Sequence, residues 1–334
     1  MEIVVFGSGG WGTALAVLLH QNGHQVTLWS YSKEESDCLR ETRENPLLKG
    51  VPLPELRFTS DPACVAGKKL VVMASPSFAV RSTAELVKPH LDPDAILVSV
   101  AKGIEPGTSL RMSQVLSEVT GHTIAVLSGP SHAEEVGRNI PTGCVAACEN
   151  RAVAELVQDT FMNNRFRVYS SSDVIGVELG AALKNVIALC AGICDGMKFG
   201  DNTKALLMTR GLTETARLGM ALGARENTFA GLAGVGDLIV TCTSMHSRNR
   251  RAGILIGQGR TPQEAMKEVG AVVEGYYATK SAIELADKTG VEMPITRAAY
   301  AVLYENESPQ EMVQSLMTRD KTSEIHAVED SGWK

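Results

Sequence analysis

The sequence has few aromatic residues and no excess of positive charge. Phe, Trp and Tyr together make up 5% of its 334 residues, and the formal net charge is −6 at pH 7. Proteins that bind nucleic acid present basic surfaces, and those that bind single strands add aromatic side chains on which bases stack. We therefore expect no nucleic-acid partner. An anionic ligand would have to be held by a local cluster of cations.

Cysteine is also sparse, with seven residues and no pattern of a disulfide-rich domain. Cys144 and Cys148 are four positions apart, as are Cys190 and Cys194, but neither pair has the His or third Cys that a zinc site needs. We expect reduced thiols and no metal ion. The Met1-Glu2 start lacks the positively charged segment of a signal peptide, so we expect a cytoplasmic protein.

The GxSxG motif of hydrolases and the Walker motif of kinases are absent, but another glycine motif stands near the start of the chain. An apolar run at 3–6 is followed by Gly7-Ser8-Gly9-Gly10-Trp11-Gly12, then by a helix-like run and a second strand-like run. In this context the motif predicts a dinucleotide site. Gly7 permits a tight turn, Gly9 lets the backbone approach a pyrophosphate, and Gly12 lets helix and strand pack closely. The first amides of the helix face the phosphate charge.

The residues after the second strand bear on the choice between NADH and NADPH. NAD-binding proteins commonly place an Asp or Glu at this strand end to hold the ribose 2′-hydroxyl. Here Ser30-Tyr31-Ser32-Lys33 occupies the strand end, and its hydroxyls and Lys could accommodate a 2′-phosphate. Glu34 and Glu35 come slightly later. The sequence therefore predicts NADPH or NADH and leaves the preference open.

Further apolar runs predict the rest of a parallel sheet that is covered on both faces. They lie at 70–74, 95–100 and 123–127, with two more, at 143–147 and 166–169, expected at the sheet edge. Ligands of such sheets bind at the carboxyl ends of the strands. Ser75-Pro76-Ser77 should therefore line the nucleotide crevice, and Lys102 should point at a bound ligand. The Gly129-Pro130 turn opens a helix, with Ser131 near its N-cap.

Beyond residue 172 the strand pattern stops and the sequence reads as helices. We predict an α/β fold in which a Rossmann-type doubly wound sheet (1–172) precedes an all-helical domain (173–334), with a polar, disordered tail from about Thr318. The run 175–194 is apolar nearly all round except for Glu178, Lys184 and Asn185. No second such span and no aromatic belt exist, so we expect a core helix and no stable membrane insertion. Lys184 then either faces a cleft and meets an anion, or extends out of a packed core.

The densest basic cluster is Ser247-Arg248-Asn249-Arg250-Arg251. We interpret Arg250 and Arg251 as a solvated helix start, whereas Arg248 and Asn249 together offer the donors that a phosphate needs. Burial and the neighbouring Lys102 would lower the pKa of Lys184, and a carboxylate such as Asp237 would raise it again. Such a Lys can protonate a ketone oxygen while a nicotinamide supplies the hydride.

Seven segments in order resemble one family: GSGGWGT, SVAKGI, LSGPSHA, VELGAALKNVIA, AGVGDLIVTCTS, SRNRR and VVEGY. They are similar to the NAD(P)-dependent glycerol-3-phosphate dehydrogenases of the bacterial type, from Gly7 to about Tyr304. The resemblance implies reversible reduction of dihydroxyacetone phosphate, a phosphorylated triose, to sn-glycerol 3-phosphate for phospholipid synthesis. It also implies a helical second domain of the kind found in 6-phosphogluconate dehydrogenase.

By that resemblance Lys184 is the catalytic proton acceptor in the oxidation direction. The substrate would contact Lys184, Lys102, Gly129, Ser131, Asp237, Ser247, Arg248 and Asn249. The cofactor would contact the turn at residues 7–12 and Tyr31, Lys102, Ala133, Arg248, Val272 and Glu274. The sequence departs from the family at Gly10, where Ser is frequent, and at Tyr31, where a basic residue or His is frequent. The second departure weakens recognition of a 2′-phosphate by charge.

Two alternatives remain open from the sequence. The first is a β-hydroxyacid dehydrogenase of the same architecture, but Ser247-Arg248-Asn249 with Lys102 supplies more cationic donors than one carboxylate needs. The second is an NAD(P)-sensing regulator without turnover, which would not need a Lys buried in mid-helix. The sequence does not determine the oligomeric state, and a homodimer is compatible with it.

Overall fold

A computed structural model describes residues 1–324 and contains one sheet of eight strands. The strands are β1 (Glu2–Phe6), β2 (Gln25–Trp29), β3 (Arg57–Thr59), β4 (Leu70–Met73), β5 (Ile96–Ser99), β6 (Thr123–Ser128), β7 (Thr142–Ala147) and β8 (Phe166–Ser171). Their order is β3-β2-β1-β4-β5-β6-β7-β8. The strand order reverses between β1 and β4, which opens a crevice at their carboxyl ends.

Six helices accompany the sheet: α1 (Gly10–Gln21), α2 (Lys33–Thr42), α3 (Val80–Val87), α4 (Met112–Thr120), α5 (Ala133–Gly137) and α6 (Arg151–Phe161). Nine follow it within the described residues: α7 (Val174–Gly196), α8 (Asp201–Ala221), α9 (Glu226–Phe229), α10 (Asp237–Thr243), α11 (Arg248–Gly257), α12 (Pro262–Val269), α13 (Glu274–Thr289), α14 (Pro294–Tyr304) and α15 (Pro309–Met317). A π-helical turn, Leu232–Gly236, leads into α10. The predicted α/β fold with a helical second half is confirmed.

The strands are apolar on both faces because helices cover both sides of the sheet. In β1, Val5 lies in the same apolar cluster as Leu15 of α1. Its neighbour Phe6 points to the other face and joins a cluster with Val80 of α3 and Leu116 of α4. Because of this alternation, neither face of the sheet is exposed to solvent at its centre. A ligand can therefore reach the sheet only at the ends of the strands.

The helix α7 forms the centre of the second half and is surrounded by α8, α10, α11 and α13. It is long and apolar enough to cross a membrane, but 89% of its most apolar window is buried inside the protein. Glycines let it touch α11 along the backbone, since a Cβ on Gly192 would lie 2.1 Å from the Arg250 carbonyl oxygen. Burial in protein therefore accounts for its composition.

A buried carboxylate on α7 joins the two halves of the molecule. Glu178 accepts hydrogen bonds from the Ser113 amide at 2.7 Å and from Ser113 Oγ at 2.6 Å, at the start of α4. Arg111 completes the site as an ion pair with the same carboxylate. This contact holds α7, and with it Lys184, against the sheet.

Three details differ from the sequence-based expectations. The short edge strand β3 and the helix α12 were not predicted. The last two strands do lie at one end of the sheet, but β7 runs antiparallel to β6. The reason is that α5 is a single turn that stays at the carboxyl end of the sheet, where Ala133 lies beside Gly10, so the chain enters β7 from that end.

The expected solvated helix start is wrong for Arg250. Its guanidinium pairs with Asp195 at 2.8 Å, donates to the Thr243 carbonyl at 2.9 Å and leaves the side chain 14% exposed. The cause is that the start of α11 packs against the end of α7. The polar tail expected from Thr318 is described only as far as Glu324, so the rest of that prediction lies outside the described residues.

Candidate active site

The glycine turn, residues 7–12, connects β1 to α1 and is tightly packed except at one position. Gly7 has a φ of +133°, and a Cβ on Gly12 would lie 2.0 Å from the Gly7 carbonyl oxygen. In contrast, a Cβ on Gly9 would meet nothing within 4 Å. No side chain of residues 1–324 caps the first turn of α1, so its amides remain available to an anion. These features fit the pyrophosphate of a dinucleotide.

The loop between α2 and β3 braces this turn from outside. Asn45 Nδ2 donates to the Ser8 carbonyl at 2.8 Å and to Thr13 Oγ1 at 2.7 Å. A Cβ on Gly10 would lie 2.7 Å from the Leu47 carbonyl oxygen. The glycine found here in place of the family's frequent Ser is therefore explained by the close approach of the loop.

Two lysines from opposite halves of the molecule meet at one buried carboxylate. Lys184 Nζ, from the middle of α7, donates to Asp237 Oδ1 at 2.5 Å, and Lys102 Nζ, from the loop after β5, donates to Asp237 Oδ2 at 2.9 Å. Asp237 is 1% exposed and Lys184 is 7% exposed. Lys184 also donates to Thr241 Oγ1 at 2.7 Å. Lys184 thus meets an anion, the Asp237 carboxylate, and does not extend out of the packed core into solvent.

Burial and the two charges tune this cluster. Burial lowers the pKa of Lys184, the Asp237 carboxylate raises it, Lys102 lowers it further, and the net pKa is about 8. Burial by itself would raise the pKa of Asp237, but the two lysines outweigh it and hold that pKa below its ordinary value. Near neutral pH, Lys184 is therefore a protonated acid that can also become a neutral base within an accessible pH range.

Lys102 is held at the edge of the cleft by the turn after β6. Its Nζ donates to the Gly129 carbonyl at 2.8 Å and lies 3.2 Å from Ser131 Oγ. Gly129 has a φ of +145°, which suits glycine. The N-cap of α5 is His132, and Ser131 Oγ donates instead to the Gly129 carbonyl at 2.9 Å. The predicted neighbours of Lys102 are thus brought together.

The basic cluster at the start of α11 divides into one exposed cation and several buried supports. Arg248 is exposed and makes no side-chain hydrogen bond or ion pair with any residue in 1–324. Ser247 is the N-cap and accepts from the Arg250 amide at 3.2 Å. Asn249 is buried, with Oδ1 accepting from the Gly275 amide at 2.8 Å and Nδ2 donating to Asn185 Oδ1 at 2.9 Å. Asn249 thus keeps one amide hydrogen for a ligand.

The start of α13 contacts the loop after β4. Glu274 Oε2 accepts from Ser77 Oγ at 2.6 Å, which links α13 to the loop after β4. Burial raises the pKa of Glu274, while Ser77 and the nearby Arg248 lower it in part. Val272 is partly buried just before this helix. Glu274, one of the predicted cofactor contacts, therefore lies near Arg248, the predicted substrate cation.

The remaining predicted contacts lie around the glycine turn. Ala133 lies within 3.8 Å of the position of a Cβ on Gly10. Trp11 packs against the core of the sheet, and its Nε1 is buried without a hydrogen-bond partner in the described part of the chain. Tyr31 is 86% exposed at the end of β2. All three residues follow the carboxyl ends of strands: Trp11 after β1, Tyr31 after β2 and Ala133 after β6.

Sequence reasoning missed two supporting residues. Thr241 was not among the predicted site residues, although its spacing of four from Asp237 places both on one face of α10. Asn185 donates to the Lys102 carbonyl at 3.4 Å and accepts from Asn249, which connects the loop after β5 with α11. Its position directly after Lys184 in an apolar helix was the available signal.

Comparison with known families identifies both halves of the chain. Residues 2–154 match the family model described as the NAD-dependent glycerol-3-phosphate dehydrogenase N-terminus. Residues 173–314 match the C-terminus of the same family. The two matches together span most of the chain.

Individual relatives agree with this match. The chain is 54% identical to the glycerol-3-phosphate dehydrogenase [NAD(P)+] of Thermoanaerobacter sp. (strain X514), over 98% of this chain and 100% of that protein. It is 52% identical to the corresponding protein of Fusobacterium nucleatum, over 98% and 99%. Among solved structures, a glycerol-3-phosphate dehydrogenase from Coxiella burnetii superposes with a TM-score of 0.91 at 38% identity, over 95% of this chain and 99% of that one.

Proposed function

The chain belongs to the NAD-dependent glycerol-3-phosphate dehydrogenase family, and from this premise we propose how its cleft carries out the reaction. The protein is an NAD(P)-dependent oxidoreductase that interconverts dihydroxyacetone phosphate and sn-glycerol 3-phosphate. The observation that carries the proposal is the convergence of Lys184 and Lys102, from the two halves of the chain, on the buried Asp237. The cofactor is NADH or NADPH, and when bound it supplies or accepts the hydride.

Lys184 is the acid and base of the reaction. In the reducing direction its ammonium group donates a proton to the ketone oxygen as negative charge develops there. In the oxidising direction its neutral amine accepts the proton of the hydroxyl group. Positioned proton transfer of this kind contributes about 10²–10⁴-fold to a rate. The pKa of about 8 makes both protonation states accessible.

Asp237 and Thr241 orient Lys184 and do not react. Their bonds to Nζ, at 2.5 and 2.7 Å, occupy two of its three hydrogens, so one hydrogen remains for the ketone oxygen. Asp237 also compensates part of the positive charge that the two lysines bring into a buried site. Without it, two like charges would face each other in a medium of low dielectric constant.

The substrate phosphate is bound by the exposed cation of α11. Arg248 is uncommitted within the described residues and offers a planar set of donors. Lys102, Ser131, Ser247 and the free amide hydrogen of Asn249 complete the substrate contacts, with Gly129 allowing a close approach of the backbone. A substrate without the phosphate would leave Arg248 without its partner.

Residues from both halves of the chain would hold the cofactor. Gly7, Ser8, Gly9, Gly10, Trp11 and Gly12 would bind its pyrophosphate, and Tyr31, Lys102, Ala133, Arg248, Val272 and Glu274 would make further contacts. The open space at Gly9 and the uncapped start of α1 support this assignment.

The two halves of the chain contribute differently to the cofactor site and to the substrate site. Residues 1–172 provide most of the proposed cofactor contacts, and residues 173–334 provide most of the proposed substrate contacts, including Lys184 of α7. Lys102 and Arg248 belong to both sets. The product serves phospholipid synthesis in the cytoplasm.

The test is a steady-state assay of NADH and NADPH oxidation with dihydroxyacetone phosphate, with dihydroxyacetone and a β-keto acid as comparison substrates. We expect turnover with the phosphorylated ketone and little with the other two. Preference for the β-keto acid would instead indicate a β-hydroxyacid dehydrogenase. Cofactor binding without turnover of any of the three would indicate a sensing protein.

A further inference from the structure

A carboxylate from α2 contacts the glycine turn directly. Ser8 Oγ donates to Glu35 Oε1 at 2.7 Å. Ser8 itself is 4% exposed, and its carbonyl accepts from Asn45, so the turn is held rigidly at this point. The second carboxylate oxygen of Glu35 has no hydrogen-bond partner among residues 1–324 and remains free to accept a bond from a ligand.

The strand end, where an acidic residue would be expected, offers no alternative. Ser30 is fully buried, and its Oγ has no hydrogen-bond partner in the described part of the chain. Tyr31 is exposed and uncharged. Glu35 lies five positions after Ser30, in the first turn of helix α2. It therefore supplies the carboxylate that contacts the glycine turn.

The two cations of α2 are engaged elsewhere. Lys33 Nζ pairs with Asp37 at 2.6 Å, and Arg40 pairs with the same carboxylate at 2.9 Å. In the described part of the chain, neither cation is hydrogen-bonded or ion-paired to Glu35. The start of α2 also favours a negative charge at Glu35 through the helix dipole. The residues next to Ser8 thus present a carboxylate without a paired cation.

We propose that Glu35 binds the 2′-hydroxyl of the adenosine ribose and makes the site selective for NADH over NADPH. This inference rests on the proposed cofactor site at the glycine turn. A ribose hydroxyl can donate to the free oxygen of Glu35, and a hydrogen bond to a charged group is among the stronger ones in proteins. A 2′-phosphate carries a charge of about −1.5 to −2 and would be repelled by the same carboxylate.

The experiment measures the binding of NADH and of NADPH to the protein without ketone substrate, by the change in nicotinamide fluorescence. We expect the dissociation constant of NADPH to exceed that of NADH by about tenfold or more. Glu35→Gln should reduce this ratio by about tenfold, mainly through tighter NADPH binding. Glu34→Gln is the matched control, since it removes the same charge from the neighbouring exposed position and should leave the ratio unchanged.

The outcomes separate this inference from the proposed reaction. Equal affinity for both cofactors, or an unchanged ratio in Glu35→Gln, would overturn the role of Glu35. Failure of both cofactors to bind would overturn the cofactor site and this inference with it. Selective NADH binding that responds to Glu35→Gln supports the inference even if dihydroxyacetone phosphate is not reduced, a result that would refute only the proposed reaction.

Discussion

Replacing Asp237 with Asn should shift the pH dependence of ketone reduction to lower pH. The carboxylate is 1% exposed and contacts both ammonium groups, at 2.5 and 2.9 Å. Asn keeps the shape of the side chain but removes the negative charge. Lys184 would then face Lys102 without compensation, and its pKa would fall below the present value of about 8.

The size of the shift can be estimated from the geometry. Two unit charges about 4 Å apart at an effective dielectric constant of about 20 interact by about 4 kcal/mol, equivalent to about three pKa units. Relaxation and water entry reduce this, so we expect a fall of about one to three units. At pH 8 the protonated fraction of Lys184 would drop from about one half to about 10% or less, and the reduction rate with it.

The assay follows kcat for dihydroxyacetone phosphate reduction from pH 6 to 10. For the unmodified protein, kcat should decline as the pH rises through about 8, because Lys184 loses the proton that it must donate, and the oxidation rate should rise over the same range. In Asp237→Asn, the fall of the reduction rate and the rise of the oxidation rate should both move to lower pH. Asp287→Asn, which removes an exposed carboxylate paired with Arg297, is the control. An unchanged pH dependence of both rates in a folded Asp237→Asn protein would refute the coupling of Asp237 to Lys184.

Three further substitutions test the other parts of the site. Lys184→Ala should lower kcat by about 10²–10⁴-fold with nearly unchanged NADH affinity, and an unaltered kcat would remove Lys184 from the mechanism. Arg248→Ala should raise KM about 10- to 100-fold for dihydroxyacetone phosphate but not for dihydroxyacetone. The control, Arg260→Ala, should change neither KM. Equal effects of Arg248→Ala on both ketones would contradict phosphate binding by Arg248. Gly10→Ser should destabilise the protein by about 1–3 kcal/mol in thermal unfolding, because its Cβ would lie 2.7 Å from the Leu47 carbonyl oxygen. Gly9→Ala should weaken cofactor binding without loss of stability, because its Cβ would meet nothing within 4 Å. Equal stability of Gly10→Ser and Gly9→Ala would show that the loop does not constrain Gly10.

Local patterns in the sequence determined the architecture. The glycine turn between two apolar strands specified the nucleotide-binding half, because each glycine meets a steric requirement that any chain entering a helix at that angle must satisfy. Continuous apolar strands indicated a sheet covered on both sides, and the apolar character of α7 indicated a core helix. Lys184 was identifiable from sequence because a charge in the middle of such a helix requires a partner.

Asp237 was a candidate partner from the sequence, but only the tertiary structure brings both lysines to it. Asp237 is separated from Lys184 by 53 positions and from Lys102 by 135, and no periodicity connects residues so far apart. The same holds for the burial of Arg250 against Asp195 and for the contact of Glu35 with Ser8, which depend on how α7 meets α11 and how α2 meets the turn. Side-chain periodicity reports which face of an element is buried, whereas the charges that meet at a cleft are set by the packing of elements that are distant in the chain.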